Sequence, residues 1–139
     1  MQNFKDSSGK IWTFKIDVGV IRRIKNICGV NFLDIDKSFE ILKHIKDDVV
    51  FCGDILFCCV YDQLDKHNIS KDEFEKSLDG EILNSVSDKI IDDIISFFPM
   101  ESRTALTQML EAHSLLLTTK QSAATMAIQK ILDYRLKSL

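Results

Sequence analysis

The stretch Asp48-Val49-Val50-Phe51-Cys52-Gly53-Asp54-Ile55-Leu56-Phe57-Cys58-Cys59-Val60-Tyr61-Asp62-Gln63-Leu64 decides how this chain folds. Its apolar residues fall on nearly every side of a helical turn. A helix of that kind has no face to turn to water and belongs at the centre of a bundle. Asp47 or Asp48 is placed to start it, where an acid meets the positive end of the helix. The densest part, Ile55 to Tyr61, is far shorter than the roughly 18 apolar residues a membrane span requires, so this is a core helix.

Working toward the N-terminus, Val20, Ile21, Ile24, Ile27 and Cys28 form one apolar stripe at spacing three to four, with Arg22, Arg23 and Lys25 largely off it. Asp17 is the expected N-cap of that first helix and Gly29 its stop. A short second helix is expected to begin at Ser38, with Phe39, Ile41, Leu42 and Ile45 inward. Residues 3–16 read as a β-hairpin. Asp6-Ser7-Ser8-Gly9 supplies turn chemistry, and Trp12, Phe14 and Ile16 alternate with Ile11, Thr13 and Lys15. A lone hairpin is marginal in water, so one face must lie on the helices.

Toward the C-terminus, Ser70 and Glu73 fit a capping box, with Phe74 and Leu78 inward and Gly80 expected to close that helix. Residues 81–98 form a fifth helix with Ile82, Leu83, Val86, Ile90, Ile94 and Phe97 inward, broken by Pro99. The last forty residues read as one long helix or two. Leu106, Leu110, His113, Leu117, Lys120, Ala124, Ala127, Ile131 and Tyr134 recur at spacings of four and three, close to a heptad but diluted by polar residues and alanines. Thr118 through Ala127 is small and polar, so the helix is expected to leave the core there. The expected fold is therefore mainly α: an N-terminal β-hairpin packed on a bundle of about five to six helices, with a long C-terminal helix. Residues 1–105 make the hairpin and helical core, and 106–139 a C-terminal helical extension.

Composition limits function. The chain has 139 residues, 45% of them hydrophobic, with one proline and five glycines, so a packed core is within reach without disulfides or metals. The net charge is −3, which offers no general attraction to nucleic acid or to acidic membranes. Residues 101–139 carry five basic and three acidic side chains, so the acidity lies in the first hundred. Met1 to Asp6 lacks the apolar run of a signal peptide. A soluble protein of the cytoplasm, not secreted, is expected.

Catalytic and metal chemistry is not legible. The four cysteines, Cys28, Cys52, Cys58 and Cys59, have no C-x-x-C spacing and read as core residues. His44, His67 and His113 stand far apart; Glu40 and His44 have a metal-binding interval, but no second such pair exists. Residues 62–74 align Asp62, Ile69 and Glu73 with a calcium-binding loop, yet Leu64 and Lys66 occupy ligand positions and His67 the glycine position. The pairs Asp47-Asp48 and Asp92-Asp93 read as helix-start or solvent-facing acids. Phosphate-cradling and nucleophile-elbow motifs are missing from the sequence. Arg22-Arg23-x-Lys25, the compact basic cluster, has no interleaved exposed aromatics for stacking on single strands. No enzyme, no cofactor and no metal are expected.

One resemblance does emerge. Phe4-x-Asp6-x-x-Gly9-x-x-Trp12-x-Phe14-x-Ile16 leads into a helix ending Ile24-Lys25-x-x-x-Gly29-Val30, followed by Phe74-x-x-x-Leu78-x-Gly80 and Phe97-Phe98-Pro99. In order and spacing these resemble small proteins from the structural gene clusters of tailed phages and prophages, similar to tail assembly chaperones. The resemblance covers roughly residues 3–105 and not the tail from Thr107. It implies a protein of the bacterial host cytoplasm that coats the helical tape-measure protein and recruits tail-tube subunits; from charge and hydropathy, no nucleic-acid or membrane partner is expected. The alternatives are another phage structural protein, such as a connector or tail-completion subunit, and a small host-interaction regulator. The candidate partner-binding residues are Ile128, Ile131, Leu132 and Leu136 on the C-terminal helix, with Trp12 and Phe14 on the hairpin as lesser candidates, since the hairpin is expected to use them in its own core; the plain alternative is that the terminal helix packs intramolecularly. The same helix is also the candidate surface for homo-oligomerisation.

Overall fold

The computed structural model describes the backbone of residues 1–138 and the side chains of all of these except 118–122 and 137–138. Two strands, β1 (Gln2–Lys5) and β2 (Ile11–Phe14), precede six helices: α1 (Val18–Cys28), α2 (Ile35–Asp47), α3 (Val49–Lys66), α4 (Lys71–Lys76), α5 (Gly80–Phe97) and α6 (Met100–Ser138). The chain divides into two compact units, one spanning Met1–Leu106 and one beginning at Thr107. The mainly α architecture, with a hairpin on a helical bundle and a long C-terminal helix, is the one expected.

In the first unit α3 touches α1, α2, α4, α5 and β2, and it buries Cys52, Ile55, Leu56, Cys58, Cys59, Val60 and Leu64. That central place follows from its nearly uniform apolarity. Asp48 is its N-cap, accepting from the amides of Val50 and Phe51. Asp17 caps α1, and Gly29 ends that helix at φ 69°, a left-handed conformation that a glycine enters at little cost. Ser70 caps α4, its hydroxyl oxygen accepting from the Glu73 amide at 3.1 Å; the Glu73 carboxylate turns back to the Ser70 hydroxyl, at 3.3 Å, where the capping box would take it to the Ser70 amide.

Several local expectations need correction. Helix α2 starts at Ile35, capped by Asp34, whose carboxylate accepts from the Lys37 amide. Ser38 is buried one turn inside that helix, because the burying face of α2 begins there and the chain must already be helical. Gly80 does not close α4, which ends at Lys76; it is the first residue of α5, behind the Asp79 cap. Phe97 is exposed, at 40%, since it lies at the last turn of α5 beyond the packed face of Val86, Ile90 and Ile94.

The hairpin pairs Gln2 with Phe14, Asn3 with Thr13, Phe4 with Trp12 and Lys5 with Ile11. Side chains and one backbone carbonyl of the bundle bond several of its backbone groups. Gln63 of α3 accepts from the Thr13 amide at 3.3 Å and donates to the Thr13 carbonyl, standing in for a third strand. Lys89 of α5 donates to the Asn3 carbonyl at 2.6 Å, Asp93 accepts from the Ile16 amide, and the Ser7 amide bonds the Ser77 carbonyl. An open strand edge is a template for unwanted pairing; here side chains occupy it.

Candidate functional site

Trp12 and Phe14, expected as partner-binding residues, are instead buried, at 0% and 3% exposure. Alternation along β2 points both toward the helices, where Trp12 meets Phe74 edge-on at 5.0 Å and His67 at 5.4 Å. The Trp12 indole N–H donates to Asp6 Oδ2 at 2.9 Å. Asp6 Oδ1 accepts from the Ser8 amide, the Ser8 hydroxyl and the Lys10 amide. Burial pushes the Asp6 carboxyl up, but the hydrogen bonds from Ser8, Trp12 and Lys10 outweigh it and hold it below the usual carboxylate value. The hairpin aromatics therefore build core, not surface.

Ile128, Ile131, Leu132 and Leu136 lie in the second unit and are all exposed, at 48% or more. Their spacing places them on one side of α6. Leu115, Leu116, Met126 and Tyr134 of the same helix are exposed as well. Of the expected heptad stripe, Leu106 is fully buried in the first unit, Leu110 and His113 are half-buried, and Leu117, Ala124, Ala127, Ile131 and Tyr134 are exposed. Lys120 lies outside the described side chains. Gln129 donates to Asp133 at 3.1 Å one turn away, a bond within the helix.

Concavities also line the first unit. A cleft of about 510 Å³ is lined by Gly29, Val30, Asn31, Leu33, Lys37, Glu40, Ile41, His44 and Phe51. In it Glu40 pairs with Lys43, and the His44 ring packs at a 44° tilt on Phe51, 4.2 Å between centroids, and lies 3.6 Å from Asp48, so the Glu40–His44 interval serves two separate contacts. A smaller apolar groove of about 230 Å³ runs between Val49, Val50, Gly53, Asp54, Glu75, Leu78 and Leu83. Val49 and Val50 are exposed at the N-terminal turn of α3, so the apolar surface of that helix does not all lie in the core. A third cleft of about 430 Å³ is bordered by Gly19, Arg22, Arg23, Asn26, Ile27 and Tyr61. Arg23 is committed there: it donates to the Cys58 carbonyl at 2.8 Å, pairs with Asp62 at 3.3 Å and lies 4.8 Å over the Tyr61 ring.

Among the described residues, no three His, Cys, Asp or Glu side chains gather in a way that would hold a metal ion. No helix is long and apolar enough to cross a membrane, again among the described residues. Cys28 and Cys58, thirty residues apart, bring their sulfurs to 3.7 Å. No local spacing signals that contact, since it depends on how α1 crosses α3. No family model, curated protein or solved structure matches this chain.

Proposed function

We propose that this protein is a protein-binding assembly factor of the tail-assembly-chaperone kind, whose C-terminal helix takes up an amphipathic helical segment of a tape-measure-like partner and which recruits tail-tube subunits. The observation that carries this reading is the exposed apolar face Ile128, Ile131, Leu132 and Leu136 on the helix of the second unit. Exposed apolar side chains clustered on one helix face suit helix-on-helix recognition, in which anchors at i, i+3 and i+4 supply the affinity. Weak, repeated contacts of this sort fit a factor that coats a long helical client and then leaves. The resemblance in residues 3–105 supports the same reading independently of that face.

The test pairs the full chain with a purified tape-measure segment. Binding and solubilisation of the segment are expected, with affinity reduced roughly tenfold or more by a double Ile131→Glu, Leu132→Glu change. The melting temperature should stay within about 2 °C, since exposed substitutions away from packed features are nearly neutral. Failure of the unaltered chain to bind or solubilise any such segment ends the reading. Full binding by the double variant removes the helix from it.

A further inference from the structure

Cys28 is the last residue of α1, next to the left-handed Gly29, and is half-buried; Cys58 sits in the middle of α3 and is buried. Their sulfurs are 3.7 Å apart. A disulfide bond is about 2.05 Å long, so roughly 1.7 Å separates the present contact from a covalent one. The helix end at Cys28 can supply that movement, because its chain leaves the helix at the next residue. Cys58 is held by the helix on both sides, with its carbonyl bonded to Arg23. The arrangement thus pairs a half-buried cysteine at a helix end, which can move, with a buried cysteine inside a helix, which stays.

We propose that Cys28 and Cys58 form a reversible oxidation site, in which a peroxide oxidises Cys28 and Cys58 resolves the product into an intramolecular disulfide joining α1 to α3. In the first step the Cys28 thiolate attacks one peroxide oxygen. The S–O bond forms as the O–O bond breaks, and the departing hydroxide takes a proton to become water. Cys28 is then a sulfenic acid, oxidised by two electrons. In the second step Cys58 loses its proton and attacks the Cys28 sulfur. The S–S bond forms, the S–O bond breaks, and a second water leaves. One peroxide is consumed for two thiols, and a small thiol reductant restores both.

The electrostatics agree with this division of labour. The hydrogen bond between the two sulfurs holds the Cys28 thiol below its ordinary value, helped by Lys71 and opposed by burial and Asp54. The same contact, with burial, pushes Cys58 up. The other two cysteines are poor candidates. Cys52 donates to the Leu83 carbonyl at 3.7 Å and is pushed up to about 11 by burial, and burial also raises Cys59. The bridge would enclose all of α2 and fix the start of the Gly29–Leu33 segment, which walls the cleft of about 510 Å³.

The full reduced chain is treated with one equivalent of hydrogen peroxide, blocked with a maleimide and digested without reduction for mass spectrometry. The expected result is a Cys28–Cys58 linked peptide on a monomeric chain, lost on adding dithiothreitol, with a melting temperature raised by roughly 5–10 °C. In a Cys58→Ser variant, Cys28 should be captured as a sulfenic acid by dimedone. Should that variant fail to fold, iodoacetamide labelling of the unaltered reduced chain decides: Cys28 should react at least about tenfold faster than Cys52 or Cys59. Thiol loss spread evenly over the four cysteines, bridges only between chains, or equal labelling rates would overturn the proposal.

Discussion

Replacing Asp6 by alanine should be among the most damaging single changes near the surface of the first unit. Asp6 is 6% exposed and accepts four hydrogen bonds through its two carboxylate oxygens. Without it, the Ser8 amide and hydroxyl face water, because Ser8 is exposed, and Lys10 is half-exposed. Those three lose only the net value of a hydrogen bond to a charged group, partly recovered from solvent. The Trp12 indole N–H has no such recourse, since Trp12 is fully buried, and an unsatisfied buried donor costs about 1–3 kcal/mol. The sum is about 3 kcal/mol of lost stability. Urea unfolding read by the fluorescence of Trp12, the single tryptophan, measures it directly. The pH dependence supplies a second check. The folded Asp6 carboxyl lies below its ordinary value of 3.8, so its contribution is complete above that value and is lost as pH falls through the folded one. The gap between the parent and Asp6→Ala should therefore be full at neutral pH and shrink in strong acid. A loss below about 1 kcal/mol, or a gap that does not change in acid, would refute the account of Asp6 as the anchor of Trp12.

Two further outcomes follow from the same geometry. Gln63→Ala removes the side-chain amide that spans both backbone groups of Thr13, so stability should fall by about 1–2 kcal/mol and the Thr13 amide should exchange with deuterium faster than those of the paired strand interior. Gly29→Ala meets no atom within 4 Å at the added Cβ, so only the left-handed backbone at φ 69° resists it; a loss of about 1 kcal/mol in urea unfolding is expected, and no loss would mean that α1 ends differently.

What was legible in the sequence is what closes within a few residues. The caps at Asp17 and Ser70 and the stop at Gly29 are hydrogen-bonded rings or backbone conformations made by adjacent residues, and their chemistry can be read in order along the chain; between Asp47 and Asp48 as the cap of α3 the sequence left the choice open, and the structure places it at Asp48. The central place of α3 was legible too, because a helix without a polar face has few places to go. Ambiguity begins where two residues offer the same local chemistry. Asp34 and Ser38 can each cap a helix, and Gly80 can end one or begin one. Burial decides between them, through the inner face of α2 in the first case, while in the second the Asp79 carboxylate reaches the Ile82 amide. The candidate surface divides the same way. Alternation put Trp12 and Phe14 on one face of the strand, but only packing on Phe74 and the bundle turned that face inward.

The sequence by itself thus determined the helical class, the hairpin, most helix ends and the apolar spacing of Ile128, Ile131, Leu132 and Leu136. Tertiary structure alone decided the contacts between distant segments: Asp93 with the Ile16 amide, Gln63 with Thr13, Lys89 with Asn3, and the sulfurs of Cys28 and Cys58. The physical reason is range. A cap or a turn is fixed by bonds within one helical turn, whereas these meetings depend on where whole helices cross, and that is set by the summed fit of many side chains rather than by any neighbour in the chain.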